Sequence, residues 1–177
     1  MFRRWTAVRV VVLAALMGVT TVLTLLVRVP IAPTRGYIHL GDVGVYFAAF
    51  TFGPVMGLLA GGLGTAMADV LGCYAHWAPL TLVFHGVQGG VAGYLGYRAT
   101  TARQALAWAV GSLIMVGGYF LAEVVLYGVG AALVEIPGNA VQALAGGLVA
   151  IPLSAALRQA WPPVETLGLV RPWEERR

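Results

Sequence analysis

Three residues at intervals of four, Tyr119, Glu123 and Tyr127, sit in an apolar stretch, and a helix would place them on one face. A second set, Glu135, Asn139, Gln142 and Gly146, steps by four, three and four. His85 and Gln88 share a face of another apolar stretch, and Tyr74, His76 and Trp77 occupy the polar break before it. Rings for stacking (Trp77, Tyr119, Tyr127) with polar groups for orientation (His85, Gln88, Glu123, Asn139, Gln142) suit capture of an uncharged or weakly charged heterocycle. Catalysis is not expected. The two serines, Ser112 and Ser154, lie in no G-x-S-x-G setting, and a Walker A motif is absent. No CxxC or HExxH spacing announces a metal, and His39, His76 and His85 are scattered, so the reading is no enzyme, no cofactor and no metal site.

Each of these residues also has a structural reading. Glu123, Asn139 and Gln142 could instead be hydrogen-bonding groups between helices, a reading weaker for Glu123 than for the two amides, and Tyr74 and Trp77 interfacial aromatics. Asp69 is read as bonding locally near a helix end, and Asp42 as the N-cap of the apolar run it opens. Cys73, the lone cysteine, is read as a small buried residue.

The elements that must carry these groups follow from composition. Of 177 residues, 59% are hydrophobic and 10% charged, against about 25% charged in soluble domains. Such a chain must present apolar side chains to lipid, so its first partner is the bilayer. All 11 basic residues are arginine and none form a basic face, which argues against nucleic acid.

Five apolar stretches stand out, at about 7–27, 43–71, 80–97, 105–130 and 136–157. The first follows Arg3, Arg4 and Arg9 but exceeds a signal-peptide core and lacks an A-x-A site, so it is read as a retained helix. The second would reach roughly 43 Å as one helix, and Gly53-Pro54 divides it into 43–52 and 54–71. Six crossings with the N-terminus inside put Arg3, Arg4, Arg9, Arg98, Arg103, Arg158, Arg171, Arg176 and Arg177 in the cytoplasm and only Arg28 and Arg35 outside, nine against two. Five crossings give three against eight, so the positive-inside rule selects six. The expectation is an all-α integral membrane protein: six transmembrane helices in residues 1–161, both termini cytoplasmic, and a polar cytoplasmic tail at 162–177.

Small residues repeat along single faces: Gly57, Gly61, Gly64 and Ala68 on one helix, Gly86, Gly89, Gly93 and Gly96 on the next, and Ala14 with Gly18 on the first. Such stripes let helix backbones approach closely in lipid.

Further residues carry a family resemblance. Gly36-Tyr37-Ile38-His39-Leu40-Gly41-Asp42 leads into an apolar run, followed by Phe52-Gly53-Pro54, a Gly-rich helix ending in Ala68-Asp69, and an aromatic loop. Over about residues 7–157 this order resembles the substrate-binding (S) component of energy-coupling factor (ECF) vitamin importers. The resemblance implies a prokaryotic plasma-membrane protein that binds a vitamin or precursor near the outer face, beneath a lid formed by the loop after the first helix. It also implies partnership with a membrane coupling subunit and two ATPase subunits. The family's Ala-x-x-x-Ala docking pattern is matched at Ala14, with Gly18 in place of the second alanine. The branch most resembled handles hydroxymethylpyrimidine, pyridoxine and similar rings. Two rivals stay open: a standalone carrier or channel using Glu123 as a proton site, and an assembly protein without ligand.

Overall fold

The structure is a computed structural model, and it describes residues 5–168. Six helices make up most of it. α1 (Ala7–Leu26) starts where the Thr6 hydroxyl accepts the Arg9 N–H. An antiparallel hairpin of β1 (Arg28–Ile31) and β2 (Gly36–His39) follows, with Arg28 opposite His39 and Ile31 opposite Gly36. Then come α2 (Gly41–Phe52), α3 (Pro54–Leu71), α4 (Ala78–Gly96), α5 (Thr101–Tyr127) and α6 (Val129–Ala160). A short 3₁₀ segment, Pro162–Leu167, ends the described chain.

α1, α3, α5 and α6 are long and apolar enough to cross a membrane. Their outward faces carry exposed Val11, Leu113, Val125 and Leu148, while Asp42, Gln88, Glu123 and Gln142 are buried. Apolar outside and polar inside is the distribution of a multi-pass membrane protein. α2 has 12 residues, nearly all buried. It is the central element, wrapped by α1, α3, α4 and α6.

The glycine stripes form a backbone seam. A Cβ on Gly61 would stand 2.5 Å from the His85 carbonyl oxygen, and one on Gly62 would stand 2.7 Å from that of Leu82. Gly57 and Gly89 face each other in the same manner. α3 and α4 thus pack at a distance no larger side chain permits. Gly64 turns instead to Thr20 and Met17 of α1. Ala14 and Gly18 point away from the bundle, and no atom lies within 4 Å of a Cβ built on Gly18.

Several expectations need correction. The break at Arg28–Asp42 contains the hairpin, and α2 begins at Gly41 rather than 43. α4 spans Ala78–Gly96 rather than 80–97. α5 starts at Thr101, four residues early, because the Thr100 hydroxyl caps it by accepting the Arg103 N–H at 3.4 Å. The loop expected around 131–135 is helical. Gly128, at φ 88°, turns the chain within one residue, a conformation open to glycine, so α6 begins at Val129 and runs through Pro137 to Ala160. Asp42 is not the N-cap of α2, a place held by Leu40; it lies inside the first turn, fully buried. Cys73 is exposed in the turn after α3.

The tail is not wholly free. Val164 packs against Leu16, Ala48, Phe52 and Met56. The Glu165 carbonyl accepts from Tyr97 Oη at 3.1 Å and Arg98 Nη2 at 3.0 Å. Residues 169–177 of the expected polar tail lie outside the described residues, as do Arg3 and Arg4.

Candidate ligand-binding site

The hairpin lies across one end of the bundle, and three helices hold it at four points. The Thr34 hydroxyl donates to Glu135 Oε1 on α6. Trp77, at the head of α4, donates its Nε1–H to the Arg35 carbonyl at 3.2 Å. Tyr37 Oη donates to Asp69 Oδ1 on α3 at 2.6 Å. Gln142 Oε1 on α6 accepts the His39 N–H at 3.0 Å. Burial and the Asp69 hydrogen bond together hold the Tyr37 phenol well above its usual pKa, so it stays protonated as a donor. Burial, reinforced by neighbouring His85, pushes the His39 imidazole down to about 3. It is therefore neutral, and its Nδ1 accepts the Gly41 N–H at 3.0 Å.

Beneath the hairpin Asp42 acts as a hub. Its Oδ1 accepts from Gln142 Nε2 at 3.0 Å and its Oδ2 from Gln88 Nε2 at 2.8 Å. His85 Nε2 stands 3.2 Å from Oδ1, and His85 Nδ1 stands 3.3 Å from the Tyr119 hydroxyl. That hydroxyl meets Thr81 Oγ1 at 2.7 Å. The chain of bonds ties the hairpin, α6, α2, α4 and α5 into one network. His39, Asp42 and His85 also bring possible metal-ligand atoms within 4.8 Å of one another. Gln142 and Gln88 already occupy both Asp42 oxygens, and His39 Nδ1 is taken by Gly41. These bonds make the cluster a hydrogen-bond hub, in which Gln88 Oε1 is buried without a hydrogen-bond partner.

Between hub and hairpin lies a small, partly open pocket. Of the residues expected from the sequence, Trp77, His85, Tyr119, Glu123, Asn139 and Gln142 line it together. Trp77 and Tyr119 form its aromatic wall, their centroids 5.9 Å apart. Gln88 lies one layer deeper, bonded to Asp42 and, at 3.0 Å, to Tyr46 Oη. Tyr127 is 36% exposed and reaches only the rim, where its ring stands 5.8 Å from that of Trp77. These two are corrected as wall residues: Gln88 supports the site from below and Tyr127 flanks Trp77 outside it.

The expected set lacked six wall residues: Gly36, Tyr37, His39, Asp69, Thr81 and Glu135. Asp69 does not bond locally; it reaches the hairpin. A buried acid in a Gly-rich apolar helix was a usable signal, as was the Glu135-Asn139-Gln142 spacing. Nothing in the sequence marks Thr81.

A bundle of apolar-faced helices with a roofed polar cavity at one end defines a membrane-embedded binding component. The model of the family described as "ECF-type riboflavin transporter, S component" matches residues 4–159. The chain belongs to the ECF-type S-component family, a family of transporter components. It is 39% identical over 145 residues to an uncharacterized protein of the gap 3′ region of Pyrococcus woesei, covering 81% of this chain and 97% of that protein. It is 32% identical over 163 residues to the thiamine precursor transporter HmpT of Lactococcus lactis subsp. cremoris (strain MG1363), covering 92% and 90%. Its fold resembles the crystal structure of FolT bound with folic acid, with a TM-score of 0.63 at 16% identity over 82% of this chain and 93% of that one.

Proposed function

We propose that this chain is the high-affinity binding subunit of an ECF-type ABC importer in a prokaryotic plasma membrane. It captures a small vitamin or vitamin precursor, hydroxymethylpyrimidine, pyridoxine or a similar ring compound, at the outer face and delivers it inward. The observation that carries this reading is the cavity roofed by the hairpin, where Trp77, Tyr119, Glu123, Asn139 and Gln142 converge inside an apolar-faced bundle. Relatedness to a thiamine precursor transporter supports the ring class. In this reading all six helices cross the membrane in one domain, with α2 enclosed by the others. The hairpin end faces outward, and both termini are cytoplasmic, as the arginine distribution favours. The coupling membrane subunit, itself joined to two ATPases, would dock on the outward-pointing Ala14 and Gly18 face of α1.

The test is equilibrium binding of the purified full chain to a panel of riboflavin, folate, thiamine, pyridoxine and hydroxymethylpyrimidine. One small ring should bind below micromolar concentration. Glu123→Ala and Asn139→Ala should each weaken it at least ~10-fold, about 1.4 kcal/mol. No binding of any member at micromolar concentration would contradict the capture role.

A further inference from the structure

Below the pocket, a chain of hydrogen bonds starts midway along α2 and ends on the hairpin. Tyr46 follows Asp42 by one helical turn, on the side away from the hairpin. It is fully buried and does not line the pocket. Its ring stands in a glycine notch. A Cβ on Gly111 of α5 would come 3.2 Å from it, and one on Gly146 of α6 would come 3.0 Å from it. Its hydroxyl is anchored on α5, 3.2 Å from the Trp108 carbonyl and 2.9 Å from Ser112 Oγ. At that level α5 is itself pinned to α6, because Trp108 Nε1–H donates to the Ala143 carbonyl at 2.7 Å.

From this anchor the bonds run to the hairpin with a fixed polarity. Gln88 Nε2 donates to Tyr46 Oη at 3.0 Å and to Asp42 Oδ2 at 2.8 Å. Asp42 Oδ1 accepts from Gln142 Nε2, which turns the oxygen of that amide to the hairpin, where it accepts the His39 N–H. The arrangement leaves Gln88 Oε1 buried without a hydrogen-bond partner. An orphaned acceptor of this kind costs free energy that a rotated amide could recover. Two acceptors hold the amide against that rotation, and one of them is Tyr46.

We infer that Tyr46 is a positioning residue for the roof of the pocket: its hydroxyl holds the Gln88 amide in the orientation that Asp42 and Gln142 pass on to the hairpin. Without the hydroxyl, Gln88 keeps one acceptor, its amide turns, Asp42 follows, and the hold of Gln142 on His39 loosens. The ring itself stays in its notch. The consequence for ligand retention rests on the capture reading above, whereas the effect on the roof does not.

Hydrogen–deuterium exchange of the ligand-free full chain in detergent tests this. In Y46F the amides of residues 38–41 should exchange at least ~10-fold faster, while those of 48–52 on α2 and 57–62 on α3 stay within ~2-fold of the unaltered protein. Unchanged protection of 38–41 would overturn the inference. So would a loss spread evenly over all three segments, the mark of a tyrosine that only fills space. Q88M removes the link itself and decides the matter if Y46F does not fold. It should expose 38–41 at least as much as Y46F does, and the double variant should show no further loss. Protection of 38–41 retained in Q88M, or effects that add in the double variant, would also overturn the inference. Because no ligand takes part, each of these outcomes is independent of whether the vitamin panel yields a binder.

Discussion

The two ends of the bundle are built on opposite principles. At the end closed by the 3₁₀ segment, Leu16, Ala48, Phe52, Met56, Ala60 and Val164 pack into an apolar cluster. At the hairpin end, Asp42, Asp69, Glu123 and Glu135 are all buried. The two regimes meet along α2, whose first turn holds Asp42 and whose last holds Phe52. In lipid an apolar cluster gains only from close packing, because the surroundings are equally apolar. Buried polar groups are costly unless satisfied, and they persist where they hold a partner or a ligand. In the proposed reading the apolar end contributes stability alone, whereas the polar end carries recognition as well.

Asp42→Ala should have the largest effect. It leaves Gln88, Gln142 and His85 without their shared acceptor, so both stability and ligand affinity should collapse. Removing one partner of such a buried charged network costs about 3–5 kcal/mol, readable as a fall in melting temperature of the detergent-purified protein. Met56→Ala, fully buried at the apolar end, sharpens the contrast. It should cost about 2 kcal/mol through the cavity it opens, with binding of the surviving folded fraction unchanged. A matching loss of affinity would break the division of labour. Tyr37→Phe is the mildest change. It removes one tether of the hairpin, worth about 1 kcal/mol, and should weaken binding ~5-fold, mainly by speeding release in stopped-flow measurements.

The division also explains what was legible in the sequence. Spacing within one helix sufficed to bring Tyr119 and Glu123 to one face, and Asn139 and Gln142 to another, because a helical face is a local property. Glycine spacing likewise marked the faces that form the α3–α4 seam. The tethers were hidden, because each joins groups far apart in the chain, such as Tyr37 with Asp69 and Thr34 with Glu135. Short strands such as Val29-Pro30-Ile31 carry too little alternation to announce a hairpin. Asp42 looked like a cap because an acid opening an apolar run usually is one; its partners lie on α4 and α6. The docking of Val164 was hidden for the same reason, since a polar segment after a span reads as tail.

The central claim is that the roofed cavity is where the ligand sits, and a structure of the ligand-loaded protein tests it directly. The guest should lie under the hairpin against Trp77 and Tyr119, within hydrogen-bonding distance of Glu123 and Asn139. A guest seated instead in the apolar groove between Leu58 of α3 and Val87 of α4, with those four side chains untouched, would contradict the account.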